Sequence, residues 1–147
     1  MWVFTEDGFF STVVVDSRDR LEDNQDELVV RSRAKDNLIS FINKMDGAYT
    51  FEDVECTPDR DYPWRIFVKR EDWAKYLYDY AKDDLCYTNF KDYIRKIGPH
   101  SESSRRMHAI GDVWNVMYDY EDRPMSGPIK SDPARQAWLD FVRSKRD

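Results

Sequence analysis

The chain is short of the residues that most catalytic and metal-binding signatures require. Its five glycines are scattered over 147 residues, so it has no glycine-rich loop to cradle phosphates through backbone amides. It contains no GxSxG elbow and no HExxH pair. Its two histidines, His100 and His108, would share a helix face only if a helix began before His100, and Pro99 stands in the way. The two cysteines, Cys56 and Cys86, show neither CxxC nor Cys/His zinc spacing. They are expected to be free, partly buried thiols. No apolar run approaches membrane-spanning length. The opening Met1-Trp2-Val3-Phe4 meets the acidic pair Glu6-Asp7 at once, unlike a signal peptide, so a cytoplasmic location is expected. No metal or cofactor is implied, and no catalytic constellation stands out.

Aromatic residues are what the chain has in quantity: five Trp, nine Tyr and eight Phe, 15% of the residues. Each buries a large area, so a modest number builds a core, and disorder over most of the chain is excluded. The net charge of −6, from 23 basic and 29 acidic residues, argues against nucleic-acid binding spread along phosphates. It leaves room for a local basic groove, and it suits a partner with a basic surface.

Periodicity points to an α+β fold. Trp2–Thr5 and Phe9–Val15 read as a β-hairpin around Asp7-Gly8. A charged loop over 16–27 precedes a strand over 27–33, where Leu28, Val30 and Ser32 alternate with Val29, Arg31 and Arg33. A short helix over 34–44 has Gly47 just past its end. Thr50–Cys56 and Trp64–Lys69 read as strands, the first weakened by acidic residues. Helices are predicted over 71–82, with Trp73, Leu77, Tyr80 and Ala81 on one face, over 89–97, and from Ser101 or Ser103 to Tyr118. Pro124, Gly127 and Pro128 mark 121–132 as a linker, and Asp132-Pro133 starts a last helix over 133–147. The expected architecture is a mostly antiparallel sheet of about five strands covered on one face by helices, a domain over 1–120 with an appended C-terminal helix.

The segments MWVFTEDGFFS, DYPWRIFV (61–68), NFKDYI (89–94) and VWNVM (113–117) resemble a family of small bacterial and phage proteins of unassigned function. The resemblance covers roughly residues 1–118. It implies kinship rather than chemistry, and its phage members suggest an inhibitor of a host defence complex.

The most suggestive polar group is Asp61, Tyr62, Arg65, Tyr87, Asn89 and Lys91. Arg65 can grip a phosphate or carboxylate bidentately, with Lys91 adding a point charge. Asn89 can read an amide or base edge, and Tyr62 or Tyr87 can stack. The plainer reading pairs Arg65 with Asp61 or a neighbouring strand, makes Asn89 a helix cap and leaves Lys91 a solvated charge. His108, beside Arg105 and Arg106, is a candidate general base or an ordinary surface histidine. Trp138, Phe141 and Val142 give the last helix a sticky face suited to another protein or to a second copy in a homodimer. Two functions are therefore expected. The first is a non-enzymatic interaction or regulatory protein. The alternative is a small anionic-ligand or nucleotide-binding protein, or an enzyme, built on Arg65, Asn89, Lys91 and His108.

Overall fold

In the computed structural model, which describes residues 1–19, 25–98 and 100–118, the aromatic N-terminal run forms the expected hairpin. Strand β1 (Trp2–Thr5) pairs antiparallel with β2 (Gly8–Val14). The turn is Glu6-Asp7 rather than Asp7-Gly8, because Gly8 pairs with Thr5 to close the ladder. Gly8 is needed for another reason. Its φ is 149°, and a Cβ there would stand 2.2 Å from Cγ of Asn37. Glycine lets the first turn of a helix approach the hairpin backbone.

Strands β3 (Glu27–Ser32), β4 (Glu55–Cys56) and β5 (Trp64–Lys69) complete a five-stranded antiparallel sheet in the order β1-β2-β3-β5-β4. The period-2 alternation divides its side chains. Phe10, Leu28, Val30, Ile66 and Val68 face the helices α1 (Lys35–Asn43) and α2 (Arg70–Asp79). Leu38, Phe41, Ile42, Met45, Trp73 and Tyr76 meet them to form the main core. The rings of Phe10, Phe41, Trp73 and Tyr76 touch mutually at centroid separations from 4.9 to 6.2 Å. Such pairs add about 0.5–1.5 kcal/mol each beyond area burial. The α+β class and the helix-covered antiparallel sheet are as expected.

Local departures have local causes. Thr50–Cys56 is not one strand: Phe51–Asp53 is a 3-10 turn, and only Glu55 and Cys56 pair with β5. The Asp53 carboxylate accepts from the Thr50 backbone N–H at 2.7 Å and from its hydroxyl at 3.1 Å, closing a capping box that β-propensity does not foresee. Helix α2 ends at Asp79 in a π turn, Tyr80–Asp84. On α2 and the π turn, Trp73, Tyr76 and Tyr80 are buried, Leu77 is half-buried and Ala81 is exposed. Helix α3 (Phe90–Ile97) follows. The chain divides into two units, Met1–Gly98 and Pro99–Asp147, and helix α4 (His100–Tyr118) belongs to the second. The expected linker at 121–132 and helix at 133–147, with Trp138, Phe141 and Val142, lie outside the described residues. No described helix is long and apolar enough to cross a membrane.

Candidate functional site

The sheet face opposite α1 and α2 carries the site. Alternation and register together make it: Ser11 of β2 lies opposite Arg31 of β3, and Arg31 lies opposite Arg65 of β5. Two guanidiniums on neighbouring strands thus project on one face. A groove of about 710 Å³ opens there, lined by Val13, Arg31, Arg60, Tyr62 and Arg65 together with the loop residues Asp16, Arg18 and Asp19.

Arg65 is the centre of this groove. Its side chain is 3% exposed. Nη1 donates to Oδ1 of Asp19 at 2.8 Å and Nη2 to the Tyr62 carbonyl at 3.3 Å. Its Nε–H is buried with no partner among the described residues. Arg60 shares the same Asp19 oxygen at 2.7 Å and donates to the Arg18 carbonyl at 2.8 Å. Arg31 is held by Ser11, through Nη2 to the hydroxyl at 2.8 Å. The guanidiniums of Arg31 and Arg33 lie 5.1 and 4.9 Å from the Tyr62 ring centroid.

Four arginines and four aspartates line the groove, so its character is set by where each charge sits. Burial lowers the pKa of the Arg65 guanidinium, and the cations of Arg60 and Arg31 push the same way against Asp19. Arg18 is neutralised separately by Asp16, whose carboxyl the Arg18 hydrogen bond holds down at about 2. Asp59 and Asp61 also line the groove, but both are exposed. Of these arginines only Arg65 is buried, Arg31 being half-buried and Arg60 exposed, so water screens Asp59, Asp61 and Arg60 alike and the Arg65–Asp19 pair dominates the interior. One carboxylate, Asp19, therefore serves two guanidiniums, with a third beside them.

The structure splits the polar group suggested by the sequence. Asp61, Tyr62 and Arg65 line the groove; Tyr87, Asn89 and Lys91 do not. Asn89 caps α3, accepting from the Asp92 N–H at 3.2 Å. Tyr87 shares a hydrogen bond of 2.7 Å with the Tyr80 hydroxyl and stacks on Tyr93. His108 lies on α4 in the second unit, its Nδ1 2.7 Å from the Ser104 carbonyl of its own helix. Arg65 pairs with Asp19 rather than Asp61. Cys56 and Cys86 are free but exposed, not partly buried. Sequence reasoning passed over Ser11, Arg31, Arg33, Arg60 and Asp19. The period-2 alternation of Arg31 and Arg33 against Leu28 and Val30 was the signal for two of them.

A second polar cluster ties elements together. The Lys44 ammonium donates to Glu6 at 2.6 Å and Asp84 at 2.8 Å, and lies 3.3 Å from Asp7. Tyr93 donates to Glu6 at 2.6 Å, and Tyr76 to Asp7 at 2.8 Å. Burial alone would lower the Lys44 pKa, but the hydrogen bonds to Asp84 and Glu6 outweigh it and raise it. Burial raises the Asp7 carboxyl. One ammonium answers three carboxylates from the hairpin turn and the π turn, so the cluster ties these elements together. No trio of His, Cys, Asp or Glu among the described residues is placed to hold a metal ion.

Comparison of the chain with family models, curated proteins and solved structures returns no match.

Proposed function

We propose that this protein binds a small ligand through an anionic group, received between Arg31, Arg60 and Arg65 in the groove of the sheet face. One observation carries the reading: a buried arginine whose Nε–H is unpartnered among the described residues and which lines an open groove. A buried donor left without a partner costs about 1–3 kcal/mol, more when charged. An anion that reaches this donor from the groove removes that penalty and adds charge-assisted hydrogen bonds. The volume of about 710 Å³ suits a small ligand rather than a macromolecular surface. The docking role expected of Trp138, Phe141 and Val142 rests on residues outside the described ones, and the groove is the better-supported reading.

Calorimetric titration with inorganic pyrophosphate tests it. Saturable binding is expected, weakened about tenfold or more by Arg65→Met, since a charge-assisted hydrogen bond contributes about 1.5–3 kcal/mol. Arg60 is exposed, so Arg60→Ala gives a variant that keeps the fold and should weaken binding in the same direction. No binding by the wild type, or equal binding by both variants, contradicts the reading.

A further inference from the structure

Resting on the anion-binding reading above, we propose that the ligand is a nucleoside phosphate. Its phosphate sits between Arg31 and Arg65, and its base lies against an aromatic strip that begins at Trp2.

The register places the parts. Trp2 of β1 lies opposite Ser11, Ser11 opposite Arg31, and Arg31 opposite Arg65, so these four residues form one row across β1, β2, β3 and β5 on the same face. Neighbouring strands are about 4.8 Å apart, which sets Trp2 about 10 Å from the Arg31 position. Trp2 and Arg31 thus stand two strands apart on one face, and their long side chains can reach towards the two ends of one small ligand. At the other end of the row Glu55 lies opposite Arg65. Glu55 is exposed and screened by water, so it is the two guanidiniums that place the phosphate on the Arg31 side of β5.

Beside this row runs an aromatic strip that reaches the groove at Tyr62. Trp2 meets Phe9 edge-on at 5.7 Å, Phe9 stacks on Phe4 at 4.5 Å, and Phe9 approaches Tyr62 at 6.3 Å. Arg31 and Arg33 then lie against the Tyr62 ring. Trp2 remains 68% exposed although it belongs to this cluster. Edge-on contact with Phe9 supports the indole while leaving much of its surface to solvent. A base stacks on such a surface whatever its identity, because every base has a π-face. A simple carboxylate or phosphate would satisfy the arginines but leave this strip without a role.

A long nucleic-acid strand fits less well than a free nucleotide. Strand binding needs a run of phosphate contacts, whereas the net charge is −6 and the row ends at Glu55.

The test uses the full chain and four probes in calorimetric titrations: inorganic phosphate, ribose 5-phosphate, AMP and a short single-stranded oligodeoxyadenylate. AMP is expected to bind about tenfold or more tightly than ribose 5-phosphate, the gain that one stacked base supplies. Trp2→Ala should bring AMP down to the level of ribose 5-phosphate and leave ribose 5-phosphate itself unchanged. Trp2→Phe, which keeps a ring, should retain most of the difference, and melting curves establish that both variants are folded. Equal binding of AMP and ribose 5-phosphate by the wild type overturns the nucleoside inference and leaves the anion reading standing. If none of the probes binds, both fall. An oligonucleotide that binds far more tightly than AMP overturns the free nucleotide in favour of a strand.

Discussion

Arg65 sits where a guanidinium is expensive to keep, 3% exposed on the inner part of a sheet face. A hydrophobic residue at this position would serve stability at least as well, because desolvation can exceed the gain from a buried ion pair. Its retention makes sense if the cation has work to do on a ligand. Asp19 then acts as the resident anion, holding Arg60 and Arg65 at 2.7 and 2.8 Å. Asp19→Asn separates the two roles. Without ligand it should lower stability by about 3 kcal/mol, the loss expected when one partner of a buried pair is removed. With pyrophosphate present its melting temperature should recover more than the wild type gains, since a competing carboxylate is gone. Thermal melts with and without pyrophosphate measure both effects; a variant as stable as wild type and indifferent to pyrophosphate would count against the role of Asp19.

At the scale of elements, Lys44 joins the hairpin turn through Glu6 and Asp7 to the π turn through Asp84, and Glu6 passes the link to α3 through Tyr93. Lys44→Met leaves three carboxylates facing one another. The expected loss is about 2 kcal/mol, moderated because the Lys44 side chain is 31% exposed, and it should loosen α3 before the sheet. Amide hydrogen exchange checks this: protection over 90–97 should fall while that over β2, β3 and β5 holds. Equal loss everywhere would mean that the cluster is not a local tie. These elements differ in how legible they were. Strands β2, β3 and β5 and helices α1 and α2 show in the sequence because apolar periodicity is a local signal. The capping box at Thr50 and Asp53 overrode a weak strand pattern, and the turn of the first hairpin moved because Gly8 pairs with Thr5 in the ladder. The site was half legible. Tyr62 and Arg65 stand in one short segment, but their company depends on strand order: β5 lies beside β3 rather than β4 alone, which brings Arg31 and Ser11 alongside. Asn89 looked like a ligand group only because a capping side chain and a binding side chain are the same chemistry in sequence.

For the whole molecule, alkaline pH is the expected weakness. Burial raises the phenol pKa values of Tyr49, Tyr76 and Tyr80, Tyr49 to about 12, and the hydrogen bond to Glu6 does the same for Tyr93. The folded Lys44 pKa also lies above its ordinary 10.5. Up to about pH 10, the ordinary tyrosine value, folded and unfolded chains hold these protons alike and stability is unaffected. Above it the unfolded chain releases protons that the folded chain retains, so stability falls as pH rises towards the folded values. Melting temperature should be flat between about pH 8 and pH 9.5 and drop steeply beyond pH 10, with phenolate absorbance rising as the protein unfolds. A melting temperature unchanged to pH 12 would contradict the buried tyrosine network.

The groove itself is tested most directly by two-dimensional NMR of the arginine Nε–Hε groups during a titration with pyrophosphate. The Arg65 Nε–H, unpartnered among the described residues, should shift saturably, with Arg31 and Arg60 following the same curve. Arg95, exposed on α3 and paired with Asp92, should stay still. If the Arg65 resonance does not move, or moves only linearly without saturating, the sheet face is not an anion site.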